Sequence, residues 1–158
     1  MMQFNYRGFH LIEIIITLGI ISMLLLFCVG FSFSFERQAI QNISHRLFHT
    51  LAWARSEAIK RNQLVGICGS LDLKHCSNDW SHGYIVFMMN DEKSIRQDLL
   101  RSEKITPFAK IDSGKQTVIR YSGDGRCLER ASINISKEKS EQRIVIYDSG
   151  RARIETLN

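Results

Sequence analysis

Arg7-Gly8-Phe9-His10-Leu11-Ile12-Glu13 leads into an apolar stretch, residues 14–35, that carries no formal charge over 22 positions. A helix of that length, rising about 1.5 Å per residue, reaches roughly 33 Å, the thickness of a bilayer's hydrocarbon core. A secretory signal peptide has a shorter apolar stretch, about 7 to 15 residues, ending at a small-x-small cleavage site. No such site follows Val29 here. Arg7, on the short N-terminal side, favours an inner location for the N-terminus and an outer one for the rest of the chain.

Every Lys and Arg except Arg7 lies at or beyond Arg37, so an apolar stem is joined to a charged head. The chain has 158 residues, 44% hydrophobic and 23% charged, with four Cys and one Pro. That suits one modest domain beyond the stem and excludes a multidomain enzyme. The formal charge of +5 resides in the head, because Arg7 and Glu13 cancel. Such an excess permits an anionic partner and is equally ordinary for solubility.

Glu13 is the unusual residue of the stem. A carboxylate among the first apolar residues of a membrane helix is expensive unless it finds a partner or stays protonated. The segment around it resembles the type III signal of type IV pilins and pseudopilins, in which a prepilin peptidase cuts after Gly. That resemblance implies cleavage between Gly8 and Phe9, N-methylation of Phe9, and Glu13 as the fifth residue of the mature chain. In a filament the Glu13 carboxylate can then pair with the terminal amine of a neighbouring subunit, which offsets desolvation of both and sets the assembly register. His10 stands where Thr is commoner, and Gly30 where many pilins carry a helix-bending Pro. Gly30 costs a helix about 1 kcal/mol relative to Ala, so a local bend there needs no Pro.

Beyond the stem, Ile40, Ile43, Leu47, Leu51, Ala54 and Ala58 recur at spacings of three and four, with Arg37, Arg46, Arg55 and Arg61 at other angles. This pattern predicts an amphipathic helix to about Asn62, continuous with the stem. Short alternating or apolar runs predict strands at 64–68, 84–89, 97–101, 117–121, 131–135, 143–147 and 151–156. Turns such as Ser122-Gly123-Asp124-Gly125 and Asp148-Ser149-Gly150 separate them. The polar stretch 136–142 reads as a solvated loop. The expected fold is α+β: a long N-terminal helix, half transmembrane and half amphipathic, packed on antiparallel sheet. Its parts are a leader at 1–8, a transmembrane and filament-core helix at 9–35, and a head at 36–158.

The head adds a second resemblance. Ala54-Arg55-Ser56-Glu57-Ala58-Ile59-Lys60-Arg61-Asn62, then Cys68, Cys76, Trp80 and Gly83-Tyr84-Ile85-Val86-Phe87, is similar to the GspH/FimT group of minor pilins and pseudopilins over nearly the whole chain. The closing Gly150-Arg151-Ala152-Arg153 is similar to the Gly-Arg-x-Arg signature of the FimT branch, which that resemblance links to DNA binding. Two Arg residues two apart on a strand project from one face, about 7 Å from each other, and can straddle neighbouring phosphates. Gly150 would allow a positive φ in the turn and bring backbone N–H groups toward the same ligand. Residues alone also allow a solvated strand with Arg151 paired to Asp148 and Arg153 to Glu155. Arg143 and Lys115, with Lys110, Arg120 and Arg126, are further cationic candidates for the DNA face.

Cys68 and Cys76 can close a short loop as a disulfide in an oxidising envelope compartment. A metal set of Cys68, His75, Cys76 and His82 is the alternative, and its spacing matches no familiar zinc pattern. Cys127 has no obvious mate, and Cys28 is a small apolar filler in the stem. His45 and His49, four apart on the helix, lack a third ligand nearby. Trp53, Trp80, Tyr84 and Phe87 read as core aromatics rather than base-stacking platforms. Neither a nucleotide loop nor a nucleophile elbow is present, so no catalysis, cofactor or metal is expected. The reading is a minor type IV pilin of the inner membrane, single-pass with a periplasmic head, extracellular once assembled in the pilus. Its partners are double-stranded DNA, other pilin subunits and prepilin peptidase, and its role is DNA uptake in natural transformation. The alternative is a structural pseudopilin of a type II secretion system, or a pilus-priming minor pilin, without DNA binding.

Overall fold

A computed structural model describes residues 11–90, 98–106, 109–114, 116–138 and 140–157, the side chains of 27–34 excepted. Gly8, Phe9 and Lys115 lie outside the described residues. Two compact units result, Met1–Glu36 and Arg37–Asn158.

Helix α1 runs over Leu11–Arg61, with Glu13 in its first turn and Lys60 and Arg61 in its last, each charge favourably placed against the helix dipole. Large apolar side chains stand exposed from Leu11 to Leu26. The few hydroxyls between them are turned back on the helix: Thr17 Oγ1 donates to the Ile14 carbonyl and Ser22 Oγ to that of Gly19, both at 2.9 Å. Among the described residues no helix is long and apolar enough to cross a membrane. The expected span needs the side chains of 27–34, which are not among those described. At its far end α1 stops where Asn62 takes φ 50°, and Gln63 N–H bonds the Ala58 carbonyl at 3.2 Å. A left-handed residue after the last turn is a common way to use up terminal helix carbonyls.

Among the described residues eight strands follow: β1 (Leu64–Gly69), β2 (Gly83–Met89), β3 (Asp98–Lys104), β4 (Lys110–Asp112), β5 (Val118–Tyr121), β6 (Ala131–Lys137), β7 (Ser140–Ile146) and β8 (Ala152–Leu157). They form two antiparallel sheets, ordered β3-β2-β1-β5 and β4-β6-β7-β8. Ile40, Leu47, Leu51, Ala54 and Ala58 of α1 share one buried cluster with Val65, Ile67, Val86 and Ile119 of the first sheet and Ile133, Ile135, Ile144 and Ile146 of the second. Both sheets therefore close over the same helix stripe. All buried side chains among the described residues lie at or beyond Ile40, so the head carries its own core. The first sheet is buried on its second face too, where Cys68, Ile85, Phe87 and Met89 pack with Leu73 and Cys76 of the loop between β1 and β2.

The 136–142 segment corrects the sequence expectation. It is not a solvated loop: β6 and β7 stay paired through Ser136 with Glu141 and Lys137 with Ser140. Pairing needs only backbone bonds, so polar side chains on the outer face do not end it. The turn is made with φ 47° at Glu138, without the Gly or Asn that announces such a turn. β4 was not expected either, since in three residues it buries only Ile111.

Polar links tie α1 to the first sheet. Arg46 reaches Glu103 Oε1 at 2.5 Å through Nη2, Tyr84 OH donates to Glu103 Oε2 at 2.7 Å, and Thr50 Oγ1 lies 3.1 Å from the Tyr84 hydroxyl. Burial pushes the Glu103 carboxyl up, and the hydrogen bonds from Tyr84 and Arg46 outweigh it, holding Glu103 below the ordinary carboxylate range.

Candidate nucleic-acid interface

Ile146 of β7 faces Ala152 of β8, and the residues between them make a tight hairpin. Tyr147 N–H bonds the Arg151 carbonyl at 2.9 Å, and Gly150 N–H bonds the Tyr147 carbonyl at 2.8 Å. Gly150 takes φ 75°, the left-handed residue that closes a three-residue hairpin loop. The positive φ expected of Gly150 is present, and its own N–H is used inside the turn. Gly150 is buried, and a Cβ there would run into the carbonyl oxygen of Gly125 and lie 2.9 Å from Arg55 Nε. Two turns thus meet backbone to backbone. Arg55 of α1 fastens both, donating from Nε to the Gly125 carbonyl at 2.8 Å and from Nη2 to the Ser149 carbonyl at 3.1 Å.

From this seat β8 leaves as the outer strand of its sheet. Ala152 and Ile154 turn inward against the core, while Arg151 and Arg153 are exposed. Neither guanidinium has a carboxylate or hydrogen-bond partner among the described residues, so the Asp148 and Glu155 pairings do not form. Arg143 points to the same face, its Nε bonded to Asn134 Oδ1 at 2.8 Å, and its register partner on β8 is Glu155. Arg130, which the sequence did not single out, lies over the Tyr147 ring with its Cζ 5.6 Å from the centroid. Its position just before a strand hides this, because only the register of β6 and β7 brings it beside Tyr147.

Other cationic candidates stand elsewhere. Arg120 belongs to the first sheet and pairs with Glu129 at 2.7 Å. Lys110 lies on β4, the opposite edge of the second sheet from β8, whereas Arg126, exposed after Gly125, is beside the β7–β8 hairpin, where Cys127 N–H bonds the Asp148 carbonyl at 3.1 Å. Trp80, Tyr84 and Phe87 are buried, and Trp53 is half-buried beneath Arg101, 5.5 Å away.

Cys68 and Cys76 are joined as a disulfide with Cα atoms 5.6 Å apart, which removes both thiolates from the alternative metal set. His75 and His82 instead lie by Asp72 and Asp79, at 2.5 and 4.0 Å. The hydrogen bond with His75, joined by the His75 and Lys74 backbone N–H groups, holds the Asp72 carboxyl well below its usual range. His45 and His49 are exposed on α1, and Cys127 is buried and free. Burial pushes the Cys127 thiol up, away from reactivity.

The family model for the type II transport protein GspH matches residues 44–150, more than half of the chain. The chain belongs to the GspH family. Its matched segment takes in the Arg55 clasp, both turns and Gly150, and ends just before Arg151. No curated protein matches the chain. Among solved structures, the type IV minor pilin FimU of Pseudomonas aeruginosa is similar with a TM-score of 0.60 at 19% identity, over 73% of this chain and 91% of FimU. A second crystal form of FimU gives 0.61 at 21% identity, over 76% and 90%. The minor pseudopilin EpsH from the type 2 secretion system of Vibrio cholerae gives 0.54 at 12% identity, over 73% and 95%. The GspH-family chain therefore has the type IV pilin-like fold that FimU and EpsH share.

Proposed function

We propose that this GspH-family protein is a minor type IV pilin whose head binds double-stranded DNA by its phosphates, for uptake during natural transformation. The observation that supports this reading is the pair of exposed, unpartnered guanidinium groups of Arg151 and Arg153 on one face of an edge strand. The planar fork of Arg suits phosphate oxygens, and two at this spacing can meet neighbouring phosphates. Arg143 lies on the same face and adds charge. Gly150 acts through the turn that presents them. Binding of this kind ignores base sequence, is weak for one subunit, and gains from several copies in a filament. The protein is a binding module without catalysis. In this reading prepilin peptidase cuts after Gly8, Phe9 is methylated, and the stem holds the subunit in the inner membrane until Glu13 pairs with a neighbour's amine in the filament.

The test is DNA binding by purified protein. Arg151→Gln combined with Arg153→Gln should weaken binding of a mixed-sequence duplex at low salt while leaving the circular dichroism spectrum and melting temperature unchanged. Gel shifts identical to the parent would overturn the reading. The family's description as a type II transport protein favours the second reading, a structural pseudopilin. Salt-resistant complexes with other pseudopilins, with no affinity for DNA, would establish that one.

A further inference from the structure

We propose that Arg130, seated on the Tyr147 ring, is a third phosphate-binding residue of this face and gives it a preference for duplex over single-stranded DNA. The proposal rests on the DNA-binding reading above and adds the geometry of the ligand.

Ala131 faces Ile146 in the pairing of β6 with β7, so Arg130 falls beside Tyr147. Tyr147 in turn bonds Arg151 across the hairpin at 2.9 Å. Arg130, Tyr147 and Arg151 thus form a row across three strands, perpendicular to the line from Arg151 to Arg153. Neighbouring strands lie about 4.8 Å apart, which puts the backbones of Arg130 and Arg151 about 10 Å from each other, while Arg151 and Arg153 are about 7 Å apart along β8. Three arginines whose backbones sit at the corners of an L suit two phosphate backbones better than one. Two along one strand and one reaching across fit the two backbones that border a minor groove about 6 Å wide.

The ring beneath Arg130 fixes where that charge sits. Arg130 has no other side-chain partner among the described residues. A guanidinium lying over an aromatic face keeps its edge free for hydrogen bonds to phosphate and loses little freedom on binding. Acidic residues of the sheet's outer face lie toward its other end, with Glu141 near the start of β7 and Glu155 paired with Arg143. Glu129, next to Arg130 in the chain, is held by Arg120 at 2.7 Å, and Asp148 is exposed in the turn itself.

The experiment uses detergent-solubilised full-length protein, with a mixed-sequence duplex and a single strand of equal length titrated across salt. Arg130→Gln should lower duplex affinity about fivefold and reduce the slope of log affinity against log salt by about 1, with much less effect on the single strand. Tyr147→Ala keeps every cation and should cost the duplex about two- to fivefold. Tyr147→Phe should behave as the parent. If Arg151→Gln with Arg153→Gln weakens binding but Arg130→Gln leaves the salt slope and the duplex preference unchanged, the Arg130 proposal alone is overturned. If the Arg151 and Arg153 substitutions are themselves silent, the DNA reading falls and this proposal with it. A loss of melting temperature without change in slope marks the Arg130 and Tyr147 pair as a cross-strand contact only, and also overturns the proposal.

Discussion

Replacing Gly150 with Ala tests whether the glycine of the Gly-Arg-x-Arg motif serves the fold or the ligand. Two costs can be worked from the structure. The first is the backbone: φ is 75°, and a non-Gly residue in the left-handed region costs about 1 to 2 kcal/mol. The second is space, because the added Cβ meets the Gly125 carbonyl and sits 2.9 Å from Arg55 Nε, with backbone rather than a flexible tip in its way. Relieving that contact separates the two turns and gives up the Arg55 hydrogen bond to Gly125, a charged bond worth about 1.5 to 3 kcal/mol. The sum is about 2.5 to 5 kcal/mol. Gly114 supplies an internal control, since it has φ 67° and nothing within 4 Å of a Cβ. Gly114→Ala should cost only the backbone part, and the stiffening of the unfolded chain by Ala is common to both variants. Urea unfolding of residues 36–158, which hold the whole described core, should therefore separate the two by about 1.5 to 3 kcal/mol, or about 1.5 M in midpoint. Equal midpoints would refute the close approach of the turns and return Gly150 to the list of ligand contacts.

Three further outcomes can be measured. Glu13→Ala should leave the head folded and cut incorporation into filaments, and assembly as efficient as the parent's would remove the pairing of carboxylate and amine. Cys68→Ser with Cys76→Ser opens a loop with a sequence separation of 8, which should lower stability by about 2 to 3 kcal/mol, and an unchanged urea midpoint would contradict it. Because Glu103 is held below its usual range, it lends stability above about pH 4.5 that is lost as pH falls through its folded-state value. Glu103→Gln should accordingly flatten the acid side of the stability profile, and a melting curve with parental pH dependence would show that the network with Arg46 and Tyr84 is idle.

Helix α1 was legible because its signal is periodic over many turns: Ile40, Leu47, Leu51, Ala54 and Ala58 fall on one stripe whatever they pack against. Most strands were legible for the same reason at period two. Pairing was not. Which strands share a sheet depends on contacts far apart in sequence, and β6 and β7 turn at Glu138 without a turn residue to mark it. The candidate interface divides in the same way. Arg151 and Arg153 share a face by spacing alone, whereas Arg130 reaches that face only through register, and Arg55 reads as one more polar position on a helix until its two carbonyl partners are seen. Arg120 shows the converse, a cation of suitable charge whose strand belongs to the other sheet.

Arg55 also sets a mechanical route. Load applied to the β7–β8 hairpin meets α1 after a single side chain, bypassing nearly a hundred residues of intervening polypeptide. A pull on the hairpin would thus reach α1 through Arg55 as well as through the packed sheet.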